Sequence, residues 1–440
     1  MNDFYWLKDS KKKKYPSLNQ EVTTDILIIG GGICGLSIAY ELSHLNNQII
    51  LVDQNEFYHA TSGYTTGKIT FQHGYIYQEL LKTKSQEIAK LYYQGNNQAL
   101  KHLKDIILKE KIECEFKNCN HSLLSKEKNT SFILEEKAYK TLNIPYEKQK
   151  IKDYDALTIA NQGIFHIVKY LDGILNYLDQ CKNVSLYENS KVLKTDIKKK
   201  VATGANFIIH YKQVIFASAY PPYKNFNFYF LKLKPVMSFI GTGKIKESLK
   251  EAAIDENDPV FSFRPLKENE MMFAGFSQDT SALKSYQKSE NLIAKVKDSF
   301  HIEDIQINYN QDYQTLDKIP YIGAIKKDTY FATGFNKWGI SNSILASLIL
   351  KDLIVQKKSV YEKVFSPKRN ISMLKYVAYS FKNISTFISS KIHHHSYKCS
   401  HLHCNLKKNP LSETWDCPCH GSRFDENGKI INGPAKKDFK

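Results

Sequence analysis

The chain has 440 residues, 42% hydrophobic and 24% charged, which suits a globular protein of two or three domains. Its formal net charge is +17, yet Arg264, Arg369 and Arg423 are its only arginines, so the charge does not come from the side chain suited to bidentate phosphate contacts and no specific nucleic-acid binding is expected. No run of about 18 apolar residues occurs, which predicts no membrane-spanning helix, and the polar stretch 1–20 has no apolar centre of a secretory signal, so a polar tail and a cytoplasmic location are expected.

In chain order, an apolar run at 25–29 predicts a buried strand, followed by Gly30-Gly31-Gly32 and a helix from 33 to about 45. A second strand, 49–52, ends at Asp53. Gly30, Gly32 and Gly35 thus form G-x-G-x-x-G at a strand-to-helix turn. Gly30 permits the tight turn, Gly32 lets backbone approach a pyrophosphate, and Gly35 lets helix and strand pack closely. The helix N-terminus offers N–H donors to the phosphates. Asp53, 18 residues after Gly35, is placed to accept from ribose hydroxyls. The motif alone does not choose between FAD and NAD.

Apolar spacing over 75–111 predicts two amphipathic helices, while 112–150 carries no clear pattern. A helix is expected at 167–178, strands and a turn at 184–198, a short buried strand at 214–217, and an antiparallel sheet within 228–280. A strand at 330–333 leads through Gly334 into a helix to about 355, and 371–390 reads as an amphipathic helix or linker.

Four of the eight cysteines, Cys34, Cys114, Cys119 and Cys181, are scattered and read as free thiols. The other four lie within 21 residues. Cys399-x-His401, fifteen residues, then Cys417-x-x-His420 supplies two thiolates and two imidazoles. That set suits a [2Fe–2S] cluster with Cys399 and Cys417 on one iron and His401 and His420 on the other. Zinc with the same four ligands is the alternative. His393, His394, His395 and His403 fall outside the pattern, and the triplet reads as an exposed polar stretch.

Four segments resemble the FAD-dependent family of D-amino-acid, glycine and sarcosine oxidases: DILIIGGGICGLSIAYEL, ATSGYTTGKITFQHG at 60–74, VIFASAYPPY at 214–223, and TLDKIPYIG with YFATGFNKWGIS at 330–341. Together they span roughly residues 20–365. The resemblance implies FAD as cofactor. It implies cofactor contacts at Thr66, Gly67, Lys68, Val192 and Ala217, and at Gly334, Phe335, Asn336, Lys337, Trp338 and Gly339. The last segment would aim a helix N-terminus, with the charge of Lys337, at the flavin N1–C2=O edge, which becomes negative on reduction. Ser343 stands where close relatives favour glycine. His73 and His166 are candidate bases, with a structural hydrogen-bonding role as the alternative for each. Arg264 could clamp a substrate carboxylate or form a surface ion pair.

The C-terminal cluster resembles a Rieske domain, through its ligand pattern, Gly421-Ser422-Arg423-Phe424-Asp425 and Asn432-Gly433-Pro434. That resemblance implies a disulfide between Cys404 and Cys419. The sequence offers no pattern for the strands that usually precede the first cluster loop, so a shortened domain is expected to lean on the flavin-binding body or to have lost its cluster.

The fold class expected is therefore an α/β FAD-binding Rossmann-like domain with an interleaved antiparallel-sheet substrate domain, plus a small C-terminal all-β Rieske-type module. The boundaries expected are a tail at 1–20 and an oxidoreductase at 21–366, with FAD-binding segments near 21–75, 160–220 and 310–366 and a substrate domain near 76–159 and 221–309. A helical linker at 367–392 and the module at 393–440 follow. The expected function passes electrons from an amine-like or other small organic substrate through FAD to the cluster and on to an external one-electron acceptor. A simple FAD oxidase using O₂ with a vestigial tail, or a non-catalytic redox sensor, are the alternatives.

Overall fold

A computed structural model describes residues 4–126, 129–220, 229–257, 260–280, 285–392, 397–409 and 413–439; residues 221–223 and the histidine triplet 393–395 lie outside these. Its first sheet has eight strands, with the main path Tyr321–Lys326, Thr329–Thr333, Ile208–Phe216, Glu21–Ile29, Ile49–Val52 and Val184–Tyr187. All but the first of these pair in parallel. Parallel strands are covered on both faces, which is why Ile49–Val52 is buried at every position and reads as an unbroken apolar run. Helix Ile33–Ser43 packs against helix Gly339–Ile354. Ile33 to Leu42 are all buried, so this helix is enclosed rather than amphipathic.

The second sheet has nine strands and contains the expected antiparallel elements Leu233–Lys244, Phe261–Pro265 and Glu270–Asp279. The stretch without a clear pattern, 112–150, supplies strand Lys117–Ser125, helix Thr130–Leu142 and strand Glu147–Ile151. The two expected helices over 75–111 form as Ile76–Thr83 and Gln86–Lys109.

Residues 4–18 do not behave as a polar tail. Phe4, Trp6, Leu7, Tyr15 and Leu18 are buried in the body. Trp6 Nε1 donates to Thr65 O at 2.6 Å, and the Lys12 ammonium is buried against Glu188 at 2.8 Å. Charge density in the sequence hides this because the apolar residues are spaced irregularly and anchor a chain with little regular structure of its own.

The C-terminal module is a four-stranded antiparallel sheet, Lys407–Asn409, Thr414–Asp416, Arg423–Phe424 and Ile430–Asn432. It leans on the body. Gln311 Nε2, from strand Glu303–Thr315, donates to Gly421 O at 2.8 Å, and a Cβ on Gly421 would lie 2.3 Å from Pro235 Cβ. Phe230 meets the rings of His401 and His420 edge-on, at 5.2 and 4.8 Å between centroids. The body thus supplies support on the side where the module itself is short of strands. Helix Met373–Ile392 joins the two, with Asn405 Nδ2 donating to Ser390 O at 2.7 Å.

Candidate functional site

A cavity of about 920 Å³ runs from the glycine motif to the module. Gly30 holds φ +114°, where a Cβ would sit 2.6 Å from Ala217 O, and a Cβ on Gly35 would sit 1.7 Å from Gly30 O. Only hydrogen fits at either position, so the strand and helix meet as the motif requires. The helix begins at Gly32 without a side-chain cap, and Ser62 Oγ accepts from Ile33 N at 2.9 Å. Ser62 lies in the family-like segment 60–74, but nothing there marks it individually, since a serine in a loop is common and its partner is set only by folding. Asp53 accepts from Gly31 N at 2.7 Å and from Asn55 N at 2.8 Å. Burial pushes its carboxyl up to about 6 despite these bonds.

Gly30, Gly32, Asp53, Thr66, Lys68, Val192 and Ala217 line the cavity, and so does the whole run Gly334 to Gly339. Gly35 and Gly67 stand behind the wall. Gly67, at φ +64°, lets the loop pass 2.5 Å (from a hypothetical Cβ) above Phe165 O. In the 334–339 turn, Gly334, Asn336 and Lys337 all have positive φ. Asn336 Oδ1 accepts from Thr315 N at 2.8 Å, and Lys337 N donates to Asp312 Oδ2 at 2.9 Å. This turn aims the N-terminus of helix Gly339–Ile354, which has no side-chain cap, at open space: among the described residues nothing lies within 4 Å of a Cβ built on Gly339. Two helix N-termini therefore open onto one cavity, which suits a dinucleotide with an anionic pyrophosphate and a flavin edge that gains negative charge. The Lys337 ammonium contacts Ser277 Oγ. Ser343 is buried beside the Cys34 thiol.

Two sequence candidates take other roles. Arg264 is buried and does not line the cavity. Its Nη1 donates to Thr66 O, Gly67 O and Phe165 O, each at 3.1 Å, and its Nε to Pro265 O at 2.7 Å. Enclosed by four carbonyls, it fixes the loop that carries Thr66 and Lys68 and is neither a carboxylate clamp nor a surface ion pair. His73 lines the cavity, but both ring nitrogens are engaged, Nδ1 with Tyr92 Oη at 2.7 Å and Nε2 with Thr70 O at 2.8 Å and Ser341 Oγ at 3.0 Å. Trp338 stacks on it at 4.5 Å. Burial pushes its pKa down to about 3, so it is a neutral spacer between the loop and the 338–341 turn. His166 caps helix Ile167–Leu178 and meets Asp9 at 3.1 Å, the structural alternative.

Lys68 is a titratable group that the cavity does present. It is buried, contacts Ser262 Oγ, and lies 3.4 Å from His121 Nε2. Burial, with Arg264 nearby, holds its ammonium down to about 7. Glu256 and Lys318 share the wall.

In the module, two loops face each other. Cys399 N donates to Cys404 O at 2.8 Å, and Cys417 N to Ser422 O at 2.7 Å. The Cys399 and Cys417 thiols hydrogen-bond, which holds Cys399 down to about 7 and pushes Cys417 up. His401 and His420 lie 5.2 Å apart, and burial holds both neutral, the form that ligates a metal. Their Nδ1 atoms are buried without a hydrogen-bond partner among the described residues. Two such imidazole nitrogens beside a thiol pair fit the donor chemistry of a metal site. Cys404 and Cys419 form a disulfide. The sulfurs of Cys404, Cys417 and Cys419 also lie within 4.8 Å of one another, but a disulfide offers no thiolate, so these three sulfurs are not a ligand set by themselves.

The model of the family described as "FAD dependent oxidoreductase" matches residues 25–353. The chain belongs to that family. A second model, "Rieske [2Fe-2S] domain", matches 376–440. This FAD dependent oxidoreductase is 30% identical, over 99% of its own length and 96% of the relative's, to the "Putative Rieske 2Fe-2S iron-sulfur protein YhfW" of Bacillus subtilis. Its cluster segment alone is 45% identical over 42 residues to the "Cytochrome b6-f complex iron-sulfur subunit 2" of Trichormus variabilis, covering 10% of this chain and 24% of that one. Among solved structures, glycine oxidase from Geobacillus kaustophilus superposes with TM-score 0.67 at 17% identity, covering 80% of this chain and all of that one. L-proline dehydrogenase from P. horikoshii superposes with TM-score 0.63 at 15% identity, covering 79% and 97%. These solved structures share the fold of the oxidoreductase's body. The cofactors of the two matched domains are FAD and a Rieske [2Fe–2S] cluster, and the zinc alternative falls away. Among the described residues no helix is long and apolar enough to cross a membrane.

The oxidoreductase's cluster potential is open to test at two side chains. Ser422 hydrogen-bonds Cys399, which favours charge on that sulfur, and accepts from Ala435 N at 3.1 Å. Phe424 is buried against Phe439 and has no donor. Hydrogen bonds to the sulfurs stabilise the reduced cluster, so the potential should sit mid-way in the Rieske range of about −150 to +300 mV. Ser422→Ala should lower it and Phe424→Tyr raise it in EPR-monitored redox titrations. Unchanged potentials in both would mean that neither side chain reaches the sulfurs.

Proposed function

We propose that this enzyme oxidises a small organic molecule bearing an amine-like C–H donor and delivers the electrons to an external one-electron acceptor. When bound, FAD would supply a two-electron acceptor for a carbon centre and the cluster a one-electron carrier. The observation that carries the reading is continuity. The cavity lined by Gly32, Asp53 and Lys337 is also lined by Gln311 and by module residues 430–436, and Gln311 bonds Gly421, next to His420.

Gly30 and Gly32 would receive the pyrophosphate, Asp53 the ribose, and Val192 and Ala217 the adenine side; Thr66, Lys68 and the run 334–339 would flank the flavin. Lys337 and the N-terminus of helix Gly339–Ile354 favour negative charge at that end. Beyond them the wall carries Lys68, Lys318 and Glu256. Lys68 and Lys318 can hold a carboxylate, and Glu256 an ammonium. Lys68 Nζ, near 7, can also take up or release a proton at neutral pH. Amino and imino acids, the substrates in the names of the two superposed enzymes, fit this charge pattern.

Anaerobic addition of candidate amines or amino acids should bleach the flavin absorbance and then produce the reduced-cluster EPR signal within the same turnover. A simple oxidase would bleach and never reduce the cluster. A redox sensor would do neither with any such substrate.

A further inference from the structure

The helix Met373–Ile392 carries its amphipathicity the wrong way round for a helix packed on a protein. Its buried positions include Tyr379, Asn383 and Ser390, whereas Met373, Leu374, Val377, Phe381, Ile384 and Ile388 are exposed. Leu374 is 82% exposed, Phe381 67%, Ile384 54% and Ile388 57%. The steps of three and four residues put these side chains on one face. From Met373 to Ile388 the stripe is about 23 Å long. Ten of the fifteen exposed large apolar side chains among the described residues fall between Val355 and Leu402.

The inward face is fastened, so the stripe cannot simply roll under. Lys375 pairs with Glu79 at 2.9 Å, Lys382 contacts Asp279, Tyr379 Oη donates to Leu233 O at 3.4 Å, and Phe387 packs on the cluster module. The charge around the stripe is one-sided. Residues 363–412 contain no aspartate or glutamate, in a chain with 45 of them, and nine lysines and arginines. Lys368, Lys398 and Lys408 in that stretch are exposed, as are Lys357 and Lys358 just before it.

We infer that this helix lies on an anionic lipid surface, its apolar face in the acyl boundary and the surrounding cations among the headgroups. A second copy of the chain would meet the stripe with the same acid-free, cationic segment and be repelled. A bilayer bearing anionic lipids offers both an apolar interior and the opposite charge, and the helix is too short of apolar residues to cross it. Because Phe387 and Ser390 tie the helix to the module, docking would bring the cluster domain to the lipid surface.

Co-sedimentation of the holoprotein with vesicles tests this. One set is phosphatidylcholine alone and the other phosphatidylcholine with phosphatidylglycerol. Wild type should bind the anionic vesicles, less so at high salt, and bind the neutral ones weakly. The triple variant F381S/I384S/I388S should bind at least about tenfold more weakly. Its flavin absorbance should be unchanged, since the three side chains already face solvent. The inference is overturned if wild type ignores both vesicles, if both sets bind it equally, or if the triple variant binds as wild type. It is equally overturned if wild type forms a concentration-dependent dimer that the triple variant abolishes, with no vesicle binding; the face would then belong to a second copy.

Discussion

Gly32→Glu should purify as folded, flavin-free protein. Gly32 sits at the uncapped start of helix Ile33–Ser43 and lines the cavity. Among the described residues a Cβ there would meet only the Ser62 side chain, most closely its Oγ at 2.8 Å, an end that can turn away. The fold can therefore accept the substitution, and the damage falls on the ligand. A carboxylate would occupy the N–H groups offered to the pyrophosphate and place like charge against it. Losing two or more charge-assisted hydrogen bonds and adding repulsion should cost about 3 kcal/mol or more, at least roughly a hundredfold in FAD affinity. The check is the ratio of flavin to protein absorbance after gel filtration, with circular dichroism for the fold. Gly35→Ala is the contrasting case. Its Cβ would sit 1.7 Å from Gly30 O, a backbone atom that cannot yield, so that variant should fail in stability and not in flavin content alone. Full flavin retention by folded Gly32→Glu would remove the glycine turn from the cofactor site.

What could be read from the sequence was whatever a local steric or chemical rule dictates. Gly30 and Gly35 announce themselves because no other residue meets a +114° turn or a 1.7 Å approach, Gly32 because backbone must come close to a pyrophosphate, and the Cys₂His₂ spacing because a metal needs four donors in two short loops. Residue type misleads where the surroundings decide. Arg264 looks like an anion clamp until four backbone carbonyls surround it, and His73 looks like a base until both its nitrogens are engaged. Gln311 is one polar residue on a long strand, and nothing in its neighbours announces that it bonds Gly421 across 110 residues. Phe230 and Pro235 stay hidden for the same reason. The sequence shows the module short of strands, but not which surface of the body takes their place.

His401→Ala separates the two cofactors. The variant should keep FAD and lose the cluster, because the ligands lie in the module's two loops and the glycine motif lies in the first sheet. If Cys399, Cys417, His401 and His420 hold the cluster, the variant would offer it three protein ligands instead of four. Iron and acid-labile sulfide, near-equal in wild type, should fall to near zero, and the Rieske EPR signal with them. The module should still fold. Its interior of Leu406, Phe424 and Phe439, the Asp416–Arg423 pair at 3.1 Å and the Cys404–Cys419 disulfide do not involve the histidine. Substrate should then bleach the flavin while electrons have nowhere further to go, so steady turnover with a one-electron acceptor should collapse and single-turnover flavin reduction should persist. His401→Cys gives a second readout. It returns a ligand but puts negative charge on the iron where a neutral imidazole had been, so a cluster should reassemble with an altered EPR signal and a potential well below that of wild type. Stoichiometric zinc without sulfide in anaerobically prepared wild type would defeat the cluster assignment outright. A Rieske signal persisting in His401→Ala would defeat only the ligand, and would point to His403, the exposed histidine two residues further along the same loop.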